Sequence, residues 1–373
     1  MRIPIVIIIL FFGFATCKQQ IDLEKKVIKS YHEITFQTLN KEKQTNFYNE
    51  EISSQVLVEP GYYVWGLSVV SWEGEYHAYY SRWKKKYEHK GWMTHCEIAH
   101  AVSKTPEGPF IFQNVVLKAK KEGGWDINNS HNPYAIVAEG KIHLYYIANN
   151  IKSFFPNVNG KTSYPSSEWL ENNRTIIRES QCIGVATANN PEGPFIRSEK
   201  VVVAPDNEKF KKIAVNPAVI YKNNIYYMIM KGDDMVHKDP FRIQLVGTSN
   251  NPDGPFEFVP KPVYAEAQTE DACFWYDQII KKHYMVCHVM GKSELALFSS
   301  ENGFDWQPDE RKIFMKKEFA LNDGSIWKPK RVERPFVLTN DQGQPIMLYV
   351  AVYDKNTNGN IAIPIQSKKL AKK

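Results

Sequence analysis

Pro106-Glu107-Gly108-Pro109-Phe110 returns as Pro191-Glu192-Gly193-Pro194-Phe195 and again as Pro252-Asp253-Gly254-Pro255-Phe256. Glu301-Asn302-Gly303-Phe304-Asp305-Trp306 is a looser echo. A short alternating stretch precedes each copy: Ala99 to Ser103, Ile183 to Thr187, Leu245 to Ser249 and Leu295 to Ser299. A unit repeated every ~50–80 residues, with no helical period between copies, predicts one β-meander used several times. Upstream of each phrase stands an apolar strand, a turn rich in Gly, Asn, Lys or Asp, and an aromatic strand. Asn132-Pro133-Tyr134 leads to His143-Leu144-Tyr145, Asn216-Pro217-Ala218 to Tyr226-Tyr227, and Asp271-Ala272-Cys273 to Tyr284-Met285. Arg334-Pro335-Phe336 leads to Leu348-Tyr349, and Gly66-Leu67-Ser68 to Ala78-Tyr79-Tyr80. Five such hairpins and four copies of the outer pair predict an all-β, five-bladed β-propeller. The last blade closes Velcro-fashion, from Asn360 to Gln366 and a strand of the N-terminal segment.

The first residues read as an address. Arg2 precedes an apolar run from Ile3 to Phe14, followed by Ala15-Thr16-Cys17. A run of about a dozen is too short to span a bilayer and fits a signal-peptide core. Cys17 directly after it resembles a bacterial lipobox, so residues 1–17 are expected to be removed or acylated. The expected product is exported and either a membrane-anchored lipoprotein, periplasmic or at the cell surface, or plainly secreted. Residues 18–49 read as a tether with a lead-in strand, and residues 50–373 as the propeller. Lys and Arg total 47 against 41 Asp and Glu, a net charge of +6 spread without clusters. That balance, with no basic helix, excludes a nucleic-acid partner and suits an anionic substrate at most mildly. No metal-type Cys spacing occurs. No cofactor is expected, although a cation at a His-lined axis stays open. Cys273 and Cys287 fall on the two strands of one hairpin, as a cross-strand disulfide or as two buried thiols.

In a blade the innermost strand lines the axis, and its first residues ring one mouth of the channel. Those positions read Trp65-Gly66, His131-Asn132, Val215-Asn216, Glu270-Asp271 and Glu333-Arg334. Long connections crowd the same face: Arg82 to His95, Asn149 to Ser180 (with Tyr164, Trp169, Arg174 and Arg178), and Lys231 to Arg242. Blade four offers only Gly291-Lys292-Ser293. Long irregular loops in a compact domain are usually functional. A pocket of aromatic faces, carboxylates and Arg suits a sugar ring. Glycoside hydrolysis needs one carboxylic acid and one carboxylate. The carboxylates considered are Glu270, Asp271, Asp126, Glu97 and Glu333. In Glu270-Asp271 one acid would enter the channel while the other braces a neighbour. Trp65, His95, His131, Asn132, Asn216, Lys231 and Arg334 are expected to contact substrate. The two Asn-Pro pairs also suit plain extended strand starts, since Pro biases its predecessor that way. No nucleophile elbow, Rossmann or P-loop glycine pattern is present.

On these strand starts, blade count and the Pro-x-Gly-Pro-Phe phrase, the chain resembles the five-bladed propeller glycosidases around glycoside hydrolase families 43 and 117. The resemblance covers nearly all of the chain after the leader. It implies an inverting, exo-acting or short-chain-acting enzyme; the substrates expected for this chain are plant or algal oligosaccharides, anionic or sulfated ones included. It further implies that Glu270 matches the family 43 general acid. Asn216 stands where that family has an Asp tuning the acid. Trp65-Gly66-Leu67 stands where it has the general base, and holds no carboxylate. The base would then come from Asp126, Glu97, Asp271 or Glu333. The alternatives are a non-catalytic surface glycan-binding propeller and, more remotely, a phosphorylase or transferase with an anion site built by Arg334 or Lys231.

Overall fold

The structure is a computed structural model and describes residues 30–39, 56–119, 124–151, 157–158, 161–162, 165–354 and 357–371. Cys17, the apolar run before it and Tyr164 lie outside these residues. Contacts separate a large unit, Ile34–Ser367, from a small one made of Met1–Glu33 and Lys368–Lys373. The propeller core and its cavity belong to the large unit.

Among the described residues five four-stranded antiparallel sheets form the blades of a propeller. Blade one runs Tyr62–Trp72, Glu75–Lys84, Glu97–Ser103 and Ile111–Leu117 from the axis outward. Blade two is His131–Ala138, Lys141–Ala148, Cys182–Ala188 and Ile196–Arg197. Blade three is Lys211–Lys222, Ile225–Asp233, Arg242–Ser249 and Glu257–Phe258. Blade four is Thr269–Asp277, Lys282–Val289, Glu294–Ser300 and Gln307–Lys316. Blade five takes Arg331–Thr339, Pro345–Asp354 and Thr357–Ala371 from the end of the chain and its outermost strand, Ser30–Phe36, from the beginning. That is the expected closure: the chain's two ends share one sheet, which removes the exposed edges an open ring would leave.

The repeated phrase has a structural job. In each copy the glycine sits at positive φ, 82° at Gly108, 93° at Gly193 and 86° at Gly254, which residues with a Cβ rarely adopt. The tight turn presents the phrase's first carbonyl to the neighbouring blade. Tyr349 of blade five donates its hydroxyl to the Pro106 carbonyl at 2.6 Å, Tyr79 of blade one to Pro191 at 2.7 Å, and Tyr145 of blade two to Pro252 at 2.8 Å. The same three tyrosines meet the phrase's Phe edge-on: Tyr349 with Phe110, Tyr79 with Phe195, and Tyr145 with Phe256, at centroid separations of 6.1, 5.6 and 6.5 Å. Each buried tyrosine therefore gains apolar area and a satisfied hydroxyl together. The phrase is a blade-to-blade clip, used three times.

The cysteine hairpin does not close a disulfide. Cys273 is directly opposite Val286, so Cys287 points to the other face of the sheet. All four described cysteines are free thiols. Among the described residues no helix is long and apolar enough to cross a membrane.

Candidate functional site

The five strand starts share one backbone irregularity. Pairing of each innermost strand shifts register just after Trp65, His131, Val215, Glu270 and Glu333. The next residue is left-handed in every blade: Gly66 at φ 67°, Asn132 at 49°, Asn216 at 53°, Asp271 at 59° and Arg334 at 53°. Gly, Asn and Asp are the types that tolerate this conformation, and a bulge here re-aims the side chains on either side. The two Asn-Pro pairs are therefore bulges rather than the extended starts expected from their prolines. Pro133, Pro217 and Pro335 follow the left-handed residue in three blades, where the ladder is already interrupted and no N–H is missed.

The left-handed side chains join into a belt around the axis. Asn132 Nδ2 donates to Asn216 Oδ1 at 2.9 Å, and Asn216 Nδ2 to Asp271 Oδ1 at 2.5 Å. Arg334 reaches Asp271 through its backbone N–H at 3.3 Å and its guanidinium at 3.5 Å. At Gly66 the belt needs the missing side chain, because a Cβ there would lie 3.3 Å from Arg334 Nε. Beneath it the buried Tyr134 crosses from blade two to blade four, its hydroxyl 3.2 Å from the Phe274 carbonyl and 3.6 Å from Cys273 Sγ. Among the described residues no group of three or more His, Cys, Asp or Glu is placed to hold a metal ion.

Above the belt lies a cavity of about 310 Å³. All five residues that precede the bulges line it: Trp65, His131, Val215, Glu270 and Glu333. Asn132, Asn216, Asp271, Arg334 and Lys231 line it as well, so nine of the twelve expected channel residues meet at one mouth, as do Trp83, Trp92, Arg178 and Arg331. Lys231 is opposite Val215 on the neighbouring strand, which aims its ammonium at blade four. There Lys231 Nζ donates to Glu270 Oε2 at 2.6 Å. Glu270 and Asp271 both line the cavity, and Asp271 also braces Asn216 and Arg334.

Electrostatics separates the two cavity glutamates. The Lys231 ammonium foremost, with help from His288 and Arg178, holds Glu270 down to about 2, against the cost of burial. Glu333 has no comparable partner. Arg331 Nη1 is 3.9 Å away, while burial and the Asp271 charge push the Glu333 carboxyl up to about 7. Near neutrality one glutamate is ionised and the other keeps a proton for much of the time. Two carboxyls pushed apart in this way can supply one acid and one anion in the same site. Glu270, expected as the general acid, is the ionised member of the pair, and Glu333, one of the candidates for the base, is the one pushed towards its neutral form. His131 is buried against Trp92, with Gln181 Nε2 3.2 Å from its Nε2. Burial, then the Arg334 charge, pushes its imidazole down to about 3, so it enters the site neutral.

Three expected contacts are elsewhere. Asp126 is buried, accepting from the Tyr146 hydroxyl at 2.9 Å and facing Arg197 Nε at 3.1 Å. It ties the blade-two connection down instead of reaching the mouth. Glu97 is held at 2.8 Å by Arg82, which also binds Glu59, so its charge is spent within blade one. His95 stacks on Tyr87 at 3.8 Å and bonds Thr94 Oγ1 at 2.8 Å, and burial lowers its imidazole to about 4. None of the three lines the cavity. Arg331 and Gln181 are among the lining residues that were not expected. Arg331 lies two before Glu333 on a regular stretch of strand, so period-two alternation marked it. Gln181 immediately precedes a blade-two strand and carried no local signal.

No family model matches the chain, and no curated protein matches it in sequence. Solved structures do match. Zg3597, a family 117 glycoside hydrolase from the marine bacterium Zobellia galactanivorans, aligns at TM-score 0.59 and 14% identity over 90% of either chain. BT0996 in an RGII complex aligns at 0.60 and 12% identity, over 88% of this chain and 96% of that one. The GH43_1 enzyme from Xanthomonas citri complexed with xylose aligns at 0.53 and 13%, over 87% and 93%. The chain therefore has the five-bladed propeller fold found in glycosidases of families 43 and 117.

Proposed function

We propose that the protein is a glycoside hydrolase, exo-acting and inverting, that removes terminal sugars from plant or algal oligosaccharides, anionic ones included. The observation that carries this reading is the pair of cavity glutamates, placed alike on adjacent blades, with Lys231 2.6 Å from Glu270 and burial beside Asp271 pushing Glu333 up to about 7. Glu333 protonates the glycosidic oxygen as its bond to the anomeric carbon breaks. Glu270 accepts a proton from the water whose oxygen forms the new bond on the opposite face. Trp65, Trp83 and Trp92 offer faces for the sugar's C–H surfaces. The belt and Tyr134 beneath the cavity favour a blind pocket that takes a chain end. Export and anchoring through Cys17 belong to the same reading and put the enzyme where polymer fragments arrive.

The test is an oligosaccharide panel with and without phosphate, followed by reducing-sugar release and by NMR of the first product anomer. Release of a monosaccharide with inverted configuration, independent of phosphate, is expected. A retained anomer rejects the inverting chemistry, and a sugar phosphate identifies a phosphorylase. Binding without release identifies a glycan-capture protein.

A further inference from the structure

The wall around the cavity has a breach. Blades one to three raise long connections at the mouth, whereas blade four turns in Met290 to Ser293. A second concavity of about 510 Å³ opens at that breach, between blades four and five. It shares Arg331 and Glu333 with the first, so the two are contiguous at the proposed acid. Among the described residues its basic lining is Lys292, Lys316, Lys317, Lys328, Lys330 and Arg331, against two carboxylates, Glu318 and Glu333.

Glu318 is occupied by Lys328 at 2.7 Å and approached by Lys316 at 4.0 Å. Lys317 turns its ammonium to the Lys292 carbonyl at 3.2 Å, half-buried rather than splayed into water. Lys330 and Arg331 each lie 6.0 Å from the Tyr353 ring. Like charges collected in a concavity repel one another, and the concavity focuses their field outward. An anion along the groove relieves that repulsion. Resting on the hydrolase reading of the adjoining cavity, we infer that this groove is a leaving-group subsite for an anionic glycan. Carboxylated or sulfated residues of the oligosaccharide lie along it while the terminal sugar sits in the pocket. Lys292 and Lys330 are exposed and take no part in the proton transfers, so they can be changed without touching the acid or the base.

Calorimetric titration in Glu270→Gln protein, which keeps the groove intact, tests this with three probes: trigalacturonate, a sulfated galacto-oligosaccharide of the same length, and neutral galactotriose. At low salt at least one anionic probe is expected to bind about tenfold more tightly than the neutral one, with the preference shrinking as salt is raised. Which anionic probe wins separates carboxylate from sulfate recognition. In the Lys292→Glu/Lys330→Glu double variant the preference is expected to vanish while galactotriose affinity changes less than about twofold. Equal binding of all three probes, or a preference that survives the double variant, overturns the groove. If wild-type protein turns over no glycan yet the preference and its loss hold, the hydrolase reading fails and the groove stands as a glycan-binding surface.

Discussion

The bulges of blades four and five share one backbone and hold opposite charges. Each opens its innermost strand with a glutamate, follows it with a left-handed residue, and aims the glutamate into the same cavity. In blade four the left-handed residue is Asp271 and a neighbouring blade supplies Lys231, so Glu270 is ionised. In blade five it is Arg334, but that guanidinium is turned to Asp271, and Glu333 is left with Arg331 at 3.9 Å rather than a cation as near as Lys231 is to Glu270. A five-fold repeated scaffold thus delivers equivalent positions, and chemistry enters where neighbours from other strands break the equivalence. The belt is the constant part and the row above it the variable part.

The largest effect is expected from removing the proposed proton donor. Glu333→Gln should lower turnover by about 10²–10⁴-fold on substrates with poor leaving groups. The same change should stabilise the fold above neutral pH. A carboxyl whose folded pKa is about 7 against the usual 4.5 loses stability as pH rises through that window, and glutamine does not. Thermal melts at pH 5 and pH 8 check this: a variant no more stable than wild type at pH 8 shows that Glu333 is not held protonated.

A smaller effect tests the cause of the difference. Asp271→Asn keeps the shape of the belt and removes the like charge facing Glu333. Wild-type activity should fall as pH rises through about 7, because the acid is lost. In the variant that alkaline limb should move to lower pH, costing severalfold in rate at neutrality while the acidic limb stays near its place. A limb that does not move assigns the raised Glu333 value to burial alone.

The smallest effect lies outside the comparison and bounds it. Tyr79→Phe removes the hydroxyl that reaches Pro191 and leaves a carbonyl unsatisfied, a cost of about 1–3 kcal/mol in unfolding free energy. The pH profile should be unchanged, since the clip is remote from the mouth. A shifted profile would mean that blade spacing controls the two carboxyls.

Much of the architecture was legible because the clip phrase is local. Its turn needs Gly and Pro at fixed offsets, and each copy repeats them, so blade number and strand order followed from counting. Cavity membership was readable for the five strand starts for the same reason: equivalent positions in a ring face one axis. Asp126 and Glu97 were misplaced because each is claimed by an arginine, Arg197 and Arg82, and the pairing depends on where blades and loops pack. The Asn-Pro pairs misled because Pro's preference for an extended predecessor yielded to the bulge geometry shared by all five blades.

By its own order of residues the chain determined a closed ring of five meanders, the three clips, and a mouth ringed by Glu, Asn, Asp, His and Arg. Only the tertiary structure decided which glutamate carries the proton. A protonation state is set by charges and burial arriving from other blades, Lys231 for Glu270 and Asp271 for Glu333, and those distances are not written along the strand.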